Sequence, residues 1–227
     1  MPVLLITGAS TGIGAAAARH AVEAGWRVAL AARSEDKLAD LVEELGEDSA
    51  LAHPTDVTEF GDQERLVAAT IERFGQVDAA FANAGGGGAR GFLKEDPVHW
   101  RNMILTNVLG VAYTIRAVMP HFLERNAGHF LLTSSVAGRR SLPGSLSSAT
   151  KHAVTAMGEA ARLEFNDTGV RVTLIEPGAV DTPFFDNPPK IRALDPDDVA
   201  RTIMFVVSQP PHVDVNEILI RPTAQPI

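Results

Sequence analysis

Apolar residues in this chain fall into short contiguous runs, and longer stretches of helical period separate them. Val3–Thr7 is an unbroken apolar run ending in a glycine-rich turn, and the alanine-rich Gly12–Ala24 that follows is helix-prone. The alternation then repeats. Strand-like runs are expected at Arg27–Ala31, Ser49–His53, Asp78–Ala82, Gly128–Thr133, Val170–Glu176 and Glu217–Ile220. Between them lie predicted helices at Ser34–Leu45, with Ser34 as N-cap, and at Thr58–Phe74, where Leu66, Val67, Thr70, Ile71 and Phe74 keep a helical period. Asp96-Pro97 and Asp195-Pro196 each set a capping acid before a proline at the first helical position. The first predicts helix in two pieces to about Arg125, the second to about Ser208. A further helix is expected at Ser148–Phe165. Strands separated by helices of this length imply an α/β fold, a doubly wound parallel sheet of about seven strands with helices on both faces. No low-complexity linker or internal repeat divides residues 1–227, so one domain is expected.

Composition narrows the function classes. Lysine and arginine number 20 against 28 aspartates and glutamates, a formal charge of −8. That balance argues against nucleic acid or an anionic membrane as partner, since phosphate contacts need clustered cations. With no cysteine, disulfides, thiolate catalysis and Cys-based metal sites are excluded, and a cytoplasmic location fits. The seven histidines show no paired metal-ligand spacing, so no metal site is expected. Met1–Ile6 reads as a buried strand rather than a signal peptide, and no run approaches the ~20 apolar residues that span a bilayer.

The turn Thr7-Gly8-Ala9-Ser10-Thr11-Gly12-Ile13-Gly14 sits between the first strand and the first helix. Glycine there permits a tight turn and lets backbone N–H groups approach a diphosphate at the helix N-terminus, as in a Rossmann-type dinucleotide site. The spacing is G-x-x-x-G-x-G rather than G-x-G-x-x-G.

With that loop, Asn83-Ala84-Gly85 after the fourth strand, Ser134-Ser135-Val136-Ala137-Gly138 after the fifth, Lys151 on the next helix and Pro177-Gly178-Ala179-Val180-Asp181-Thr182 after the sixth, the chain resembles the short-chain dehydrogenase/reductase family over nearly its whole length. The resemblance implies an oxidoreductase that moves a hydride between a nicotinamide cofactor and a small alcohol or carbonyl substrate. It implies a homodimer or homotetramer too, with helices around 105–125 and 148–165 in the interface and Ala153, Ala156, Gly158, Ala160 and Ala161 allowing close approach. Gly8, Ser10, Thr11, Gly12, Ile13 and Gly14 would cradle the diphosphate. Asp56 would take the adenine amino group, or simply organise the turn before Thr58, and Val57 would pack on the ring. Asn83, Ala84, Gly85, Pro177, Gly178 and Val180 would complete the cofactor cleft, and Thr182 would meet the carboxamide. An NAD-selective fold usually carries an acid after the second strand. Here the residues are Ala32-Arg33-Ser34, and Arg33 suits a 2′-phosphate, which favours NADP over NAD.

In this family a Tyr-x-x-x-Lys pair moves the proton, a serine binds the substrate oxygen and an asparagine supports a proton path. Asn107, Ser135 (or Ser134) and Lys151 match. Four residues before Lys151, however, stands Ser147, and the chain's one tyrosine, Tyr113, lies on another predicted helix. A serine hydroxyl is shorter than a phenol by a ring and far less acidic. The expectation is therefore an enzyme of impaired turnover, by engineered change or natural loss. The alternative is a non-catalytic NADP-binding sensor or scaffold. Arg139 and Arg140 could meet an anionic substrate or be exposed loop residues, and Phe184 and Phe185 could wall an apolar pocket or be core. The segment 183–194 is short, which predicts an open cleft.

Overall fold

The computed structural model describes residues 1–184 and 191–226. Its strands are β1 (Val3–Thr7), β2 (Arg27–Ala32), β3 (Ala50–Pro54), β4 (Ala79–Ala82), β5 (Gly128–Thr133), β6 (Val170–Pro177) and β7 (Glu217–Ile220). They form one sheet in the order β3-β2-β1-β4-β5-β6-β7, every pair parallel. The helices are α1 (Gly12–Glu23), α2 (Glu35–Leu45), α3 (Phe60–Phe74), α4 (Pro97–Ile104), α5 (Gly110–Arg125), α6 (Leu146–Glu164) and α7 (Pro196–Val207).

Each central strand is buried on both faces, which is why it reads as a continuous apolar run. The period of two divides the strands between two cores. Leu4, Ile6, Leu30 and Phe81 face α1, α2 and α7, and Leu5, Ala29, Ala80, Phe130 and Leu132 face α3, α5 and α6. Winding reverses between β1 and β4. Loops after these two strands therefore diverge to opposite sides and leave a crevice at their carboxyl ends.

Three expectations change. The helical run Pro97–Arg125 is 29 residues long with a mean hydropathy of 1.3 in its most apolar window, long and apolar enough to cross a bilayer, contrary to the sequence reading. In the fold, its Val111, Ile115, Val118 and Phe122 pack on the sheet, and its buried Asn107 and Thr114 hydrogen-bond within the protein. Ser34 occupies the N-cap position of α2, but its side chain makes no capping hydrogen bond. Gly158 and Ala161 face the sheet rather than a helix surface. Both are buried, and a Cβ on Gly158 would lie 2.7 Å from Leu174 Cδ2. Of the five small residues expected at the interface, Ala156 and Ala160 are exposed and Ala153 is half-buried.

Candidate active-site cleft

A cleft of about 480 Å³ opens over the carboxyl ends of the strands. Its floor is the turn into α1. Gly8 and Gly12 have φ of +66° and +55°, a region that disfavours other L residues. Gly14 is fixed by space: a Cβ there would come within 2.3 Å of the Gly8 carbonyl oxygen and 2.9 Å of Asn83 Nδ2. Gly14→Ala is expected to destabilise the protein by about 1–3 kcal/mol through overpacking, read as a fall in melting temperature. The Thr11 side chain gives α1 no capping bond, and its first turn carries no acid. The leading amides of α1 are thus left for a ligand, and the helix dipole favours an anion there.

Asn83 fastens the crevice. Its Nδ2 donates to the carbonyls of Thr7 and Gly8 at 3.2 and 3.3 Å, and its Oδ1 accepts from Thr133 Oγ1 at 3.2 Å. One carboxamide thereby joins the ends of β1, β4 and β5. The main chain of Ala84 and Gly85 continues the wall, as do Pro177, Gly178 and Val180 opposite. Thr182 sits over the glycine turn, 3.0 Å from where a Gly12 Cβ would be.

Arg33 and Asp56 stand together at one end with Val57. The exposed Arg33 makes no hydrogen bond or ion pair to a described side chain. Asp56 Oδ1 accepts from Thr58 N and Oγ1 at 2.9 and 2.8 Å, so it does organise the turn into α3. Partial burial pushes its carboxyl up. The two Thr58 bonds and the Arg33 charge outweigh that and hold it below its ordinary value.

At the other end Lys151 is only 6% exposed. Its ammonium donates to the Thr133 carbonyl at 2.7 Å, and burial lowers its pKa to about 8. The two adjacent serines separate in role. Ser134 Oγ is turned into α6, donating to the Lys151 carbonyl at 3.1 Å and sharing a 2.7 Å bond with Thr155 Oγ1. Ser135 is half-buried on the wall, donating to the Pro177 carbonyl at 3.2 Å and accepting from Ala137 N at 3.1 Å. Its hydroxyl is the more available of the two.

Three residues expected at the site do not line the cleft. Gly14 lies beneath the turn. Asn107 sits in a π-helical turn at Leu105–Leu109, buried, with its carboxamide held by both polar groups of the Gly86 backbone at 2.9 Å and by Thr150 Oγ1 at 3.1 Å. Ser147 is one turn before Lys151 on α6, but its hydroxyl is not part of the wall. Tyr113 packs at a tilt against Phe60, with ring centroids 5.3 Å and planes 59° apart. Arg139 is an exposed turn residue that does not line the cleft and is tied down on two sides. It bridges the 1% exposed Glu176 at 2.7 Å and Glu217 at 2.5 Å, and those bonds raise its pKa. Phe184 does wall the cleft, and Phe185 lies outside the described residues.

The wall also contains His99 and Thr106, which the sequence did not single out. His99 Nδ1 meets Glu95 Oε1 at 3.0 Å. Glu95 also accepts from the backbone amides of Ala89 and Asp96, at 2.5 and 3.1 Å. The Ala89 bond and then the His99 bond lower its pKa. An acid four residues before a histidine at a helix start was the available signal, but that spacing marks many solvated helix faces too.

A family model described as short chain dehydrogenase matches residues 2–190. An uncharacterized oxidoreductase of Staphylococcus haemolyticus is 38% identical over 224 residues, 97% of this chain and 96% of that protein. Among solved structures, a closed form of serine dehydrogenase complexed with NADP+ superposes with a TM-score of 0.93 at 32% identity, covering 98% of this chain and 96% of that one. A 3-ketoacyl-(acyl-carrier-protein) reductase from Brucella melitensis complexed with NADH superposes at 0.90 with 28% identity, covering 97% and 96%.

Proposed function

The chain belongs to the short-chain dehydrogenase family, and on that premise we propose that it is an NADP(H)-dependent oxidoreductase of small alcohols and carbonyl compounds whose turnover is held down by Ser147. The observation that carries the reading is the pairing of uncapped α1 amides and a close-packed glycine turn with two cations, Arg33 and Lys151, around one cleft. That donor set suits a diphosphate, a further phosphate and ribose hydroxyls. In such a cleft a nicotinamide dinucleotide would supply the hydride donor or acceptor.

The chain's own groups divide the remaining work. The α1 amides hold the diphosphate, with Ser10, Thr11, Gly12 and Ile13 forming the turn. Arg33 grips the 2′-phosphate, Asp56 and Val57 receive the adenine, and Thr182 meets the carboxamide. Lys151 donates to the ribose beside the reacting ring. Ser135 donates to the substrate oxygen and stabilises charge there. Asn107 acts through position, keeping the Gly86 backbone and α6 in register. The same family reading implies a cytoplasmic homodimer or homotetramer with the exposed side of α6 in its interface.

Arg33→Ala tests the cofactor assignment. A charge-assisted contact of ~1.5–3 kcal/mol is lost for NADPH and not for NADH. NADPH affinity should fall about tenfold to a hundredfold in calorimetric titration while NADH changes little. Equal losses would remove Arg33 from the 2′-phosphate site.

A second reading, a nucleotide-binding sensor without turnover, draws on the lack of any phenol at the cleft, since Tyr113 is packed against Phe60. Restoring a phenol separates the two.

A further inference from the structure

The geometry points to His99, held by Glu95, as the group that exchanges a proton with the substrate oxygen, a role that rests on the reductase reading above and fills the place Ser147 leaves empty. The phenol and the acid nearest in chemistry are held elsewhere. Tyr113 is packed against Phe60, and Asp56 is tied to Thr58 beside Arg33. Ser135 is a neutral alcohol, suited to donating a hydrogen bond rather than a proton. His99 is on the cleft wall with Thr106, Ser135, Lys151 and Phe184.

Its setting is that of an oriented base. The Glu95 side chain is only 10% exposed, pinned by two backbone amides, and it meets Nδ1 at 3.0 Å. An ionised carboxylate only accepts, so Nδ1 carries a proton and Nε2 is the nitrogen left to exchange one. The His99 side chain is itself 46% exposed, so water can recharge the ring after each transfer.

In the reductive direction the carbonyl carbon takes a hydride supplied by a reduced nicotinamide, which is oxidised. The C=O π pair moves onto oxygen, and the Nε2 proton of the imidazolium is transferred to that oxygen. The ring is left neutral and regains its proton from water. Alcohol oxidation runs the same transfers in reverse.

The test uses the full chain with NADPH and a panel of small aldehydes and ketones, comparing wild type, His99→Gln and Glu95→Gln in the Ser147 and Ser147→Tyr backgrounds. His99→Gln should lower kcat about tenfold to a hundredfold, with the NADPH dissociation constant and melting temperature unchanged. In the Ser147→Tyr background the same change should cost less than threefold, because the phenol takes over; a merely structural role would lower both backgrounds alike. Independently of turnover, 15N NMR of the histidine rings should show His99 with its proton on Nδ1 and should show Nε2 shifting as trifluoroethanol is titrated in the presence of NADP+. An undiminished kcat in His99→Gln, a loss of equal size in both backgrounds, or a His99 ring that trifluoroethanol leaves unmoved overturns the assignment while leaving the reductase reading intact. A wild type that binds NADPH and reduces nothing also overturns the assignment, and activity in Ser147→Tyr then decides between the reductase and sensor readings. Failure of the wild type to bind NADPH removes the reductase reading and this assignment with it.

Discussion

Ser147→Tyr is expected to raise the rate of NADPH-dependent carbonyl reduction by about 10–10³-fold, the usual ~10²–10⁴ worth of a positioned acid–base group less the part that His99 already supplies. Ser147 and Lys151 are four apart on α6 and share a helix face. A phenol at 147 would extend by a ring from a position whose present hydroxyl does not reach the cleft wall. It would also come under the field of the Lys151 cation, which favours the phenolate and so eases proton transfer. Neutral serine gains nothing comparable. The measurement is initial-rate NADPH oxidation over a carbonyl panel, with NADPH affinity and melting temperature as controls. A folded variant that binds NADPH as before and stays silent would favour the sensor reading.

The second large effect is on stability. Burial lowers Lys151 from 10.5 to about 8. The unfolded chain keeps that proton up to the ordinary lysine value, whereas the folded protein releases it above pH 8. Between those limits the unfolded state binds more protons, so folding becomes more favourable as pH rises, and below pH 8 the buried charge weighs fully against the fold. The span corresponds to about 3 kcal/mol. Urea unfolding of the nucleotide-free protein should show wild type gaining about that much on Lys151→Met between pH 7 and 10.5. Parallel curves for the two proteins would mean that the ammonium is not desolvated. The fold holds this charge on the cleft wall at a cost, an arrangement suited to function rather than stability.

Much of the architecture was readable because strands buried on both faces leave unbroken apolar runs. β1, β5 and β7 have the expected bounds. Errors arose where local hydrogen bonds move an element's end. α6 begins at Leu146, two residues early, because Ser145 Oγ takes the Ser148 amide. α3 begins at Phe60, two residues late, because the Asp56 carboxylate takes both Thr58 donors. The π turn that buries Asn107 leaves no mark, since the apolar period continues through it. Small residues on α6 could face a sheet or another helix, and composition does not distinguish the two. The cleft was legible where glycine or a family motif marked the loop. Glu95 and His99 were not, because a polar pair at a helix start has the pattern of a solvated surface until the glycine-rich loop before it folds over and brings it to the cleft.

The crevice at the head of α1 is expected to hold a phosphorylated dinucleotide and to prefer the form bearing a 2′-phosphate. Calorimetric titration of the wild-type chain with NADPH and with NADH at one ionic strength tests it most directly. Saturable binding of both at a single competing site, tighter for NADPH by at least about tenfold, is the predicted result. Heat-silent titrations with both nucleotides at millimolar concentration, or tighter binding of NADH, would contradict it.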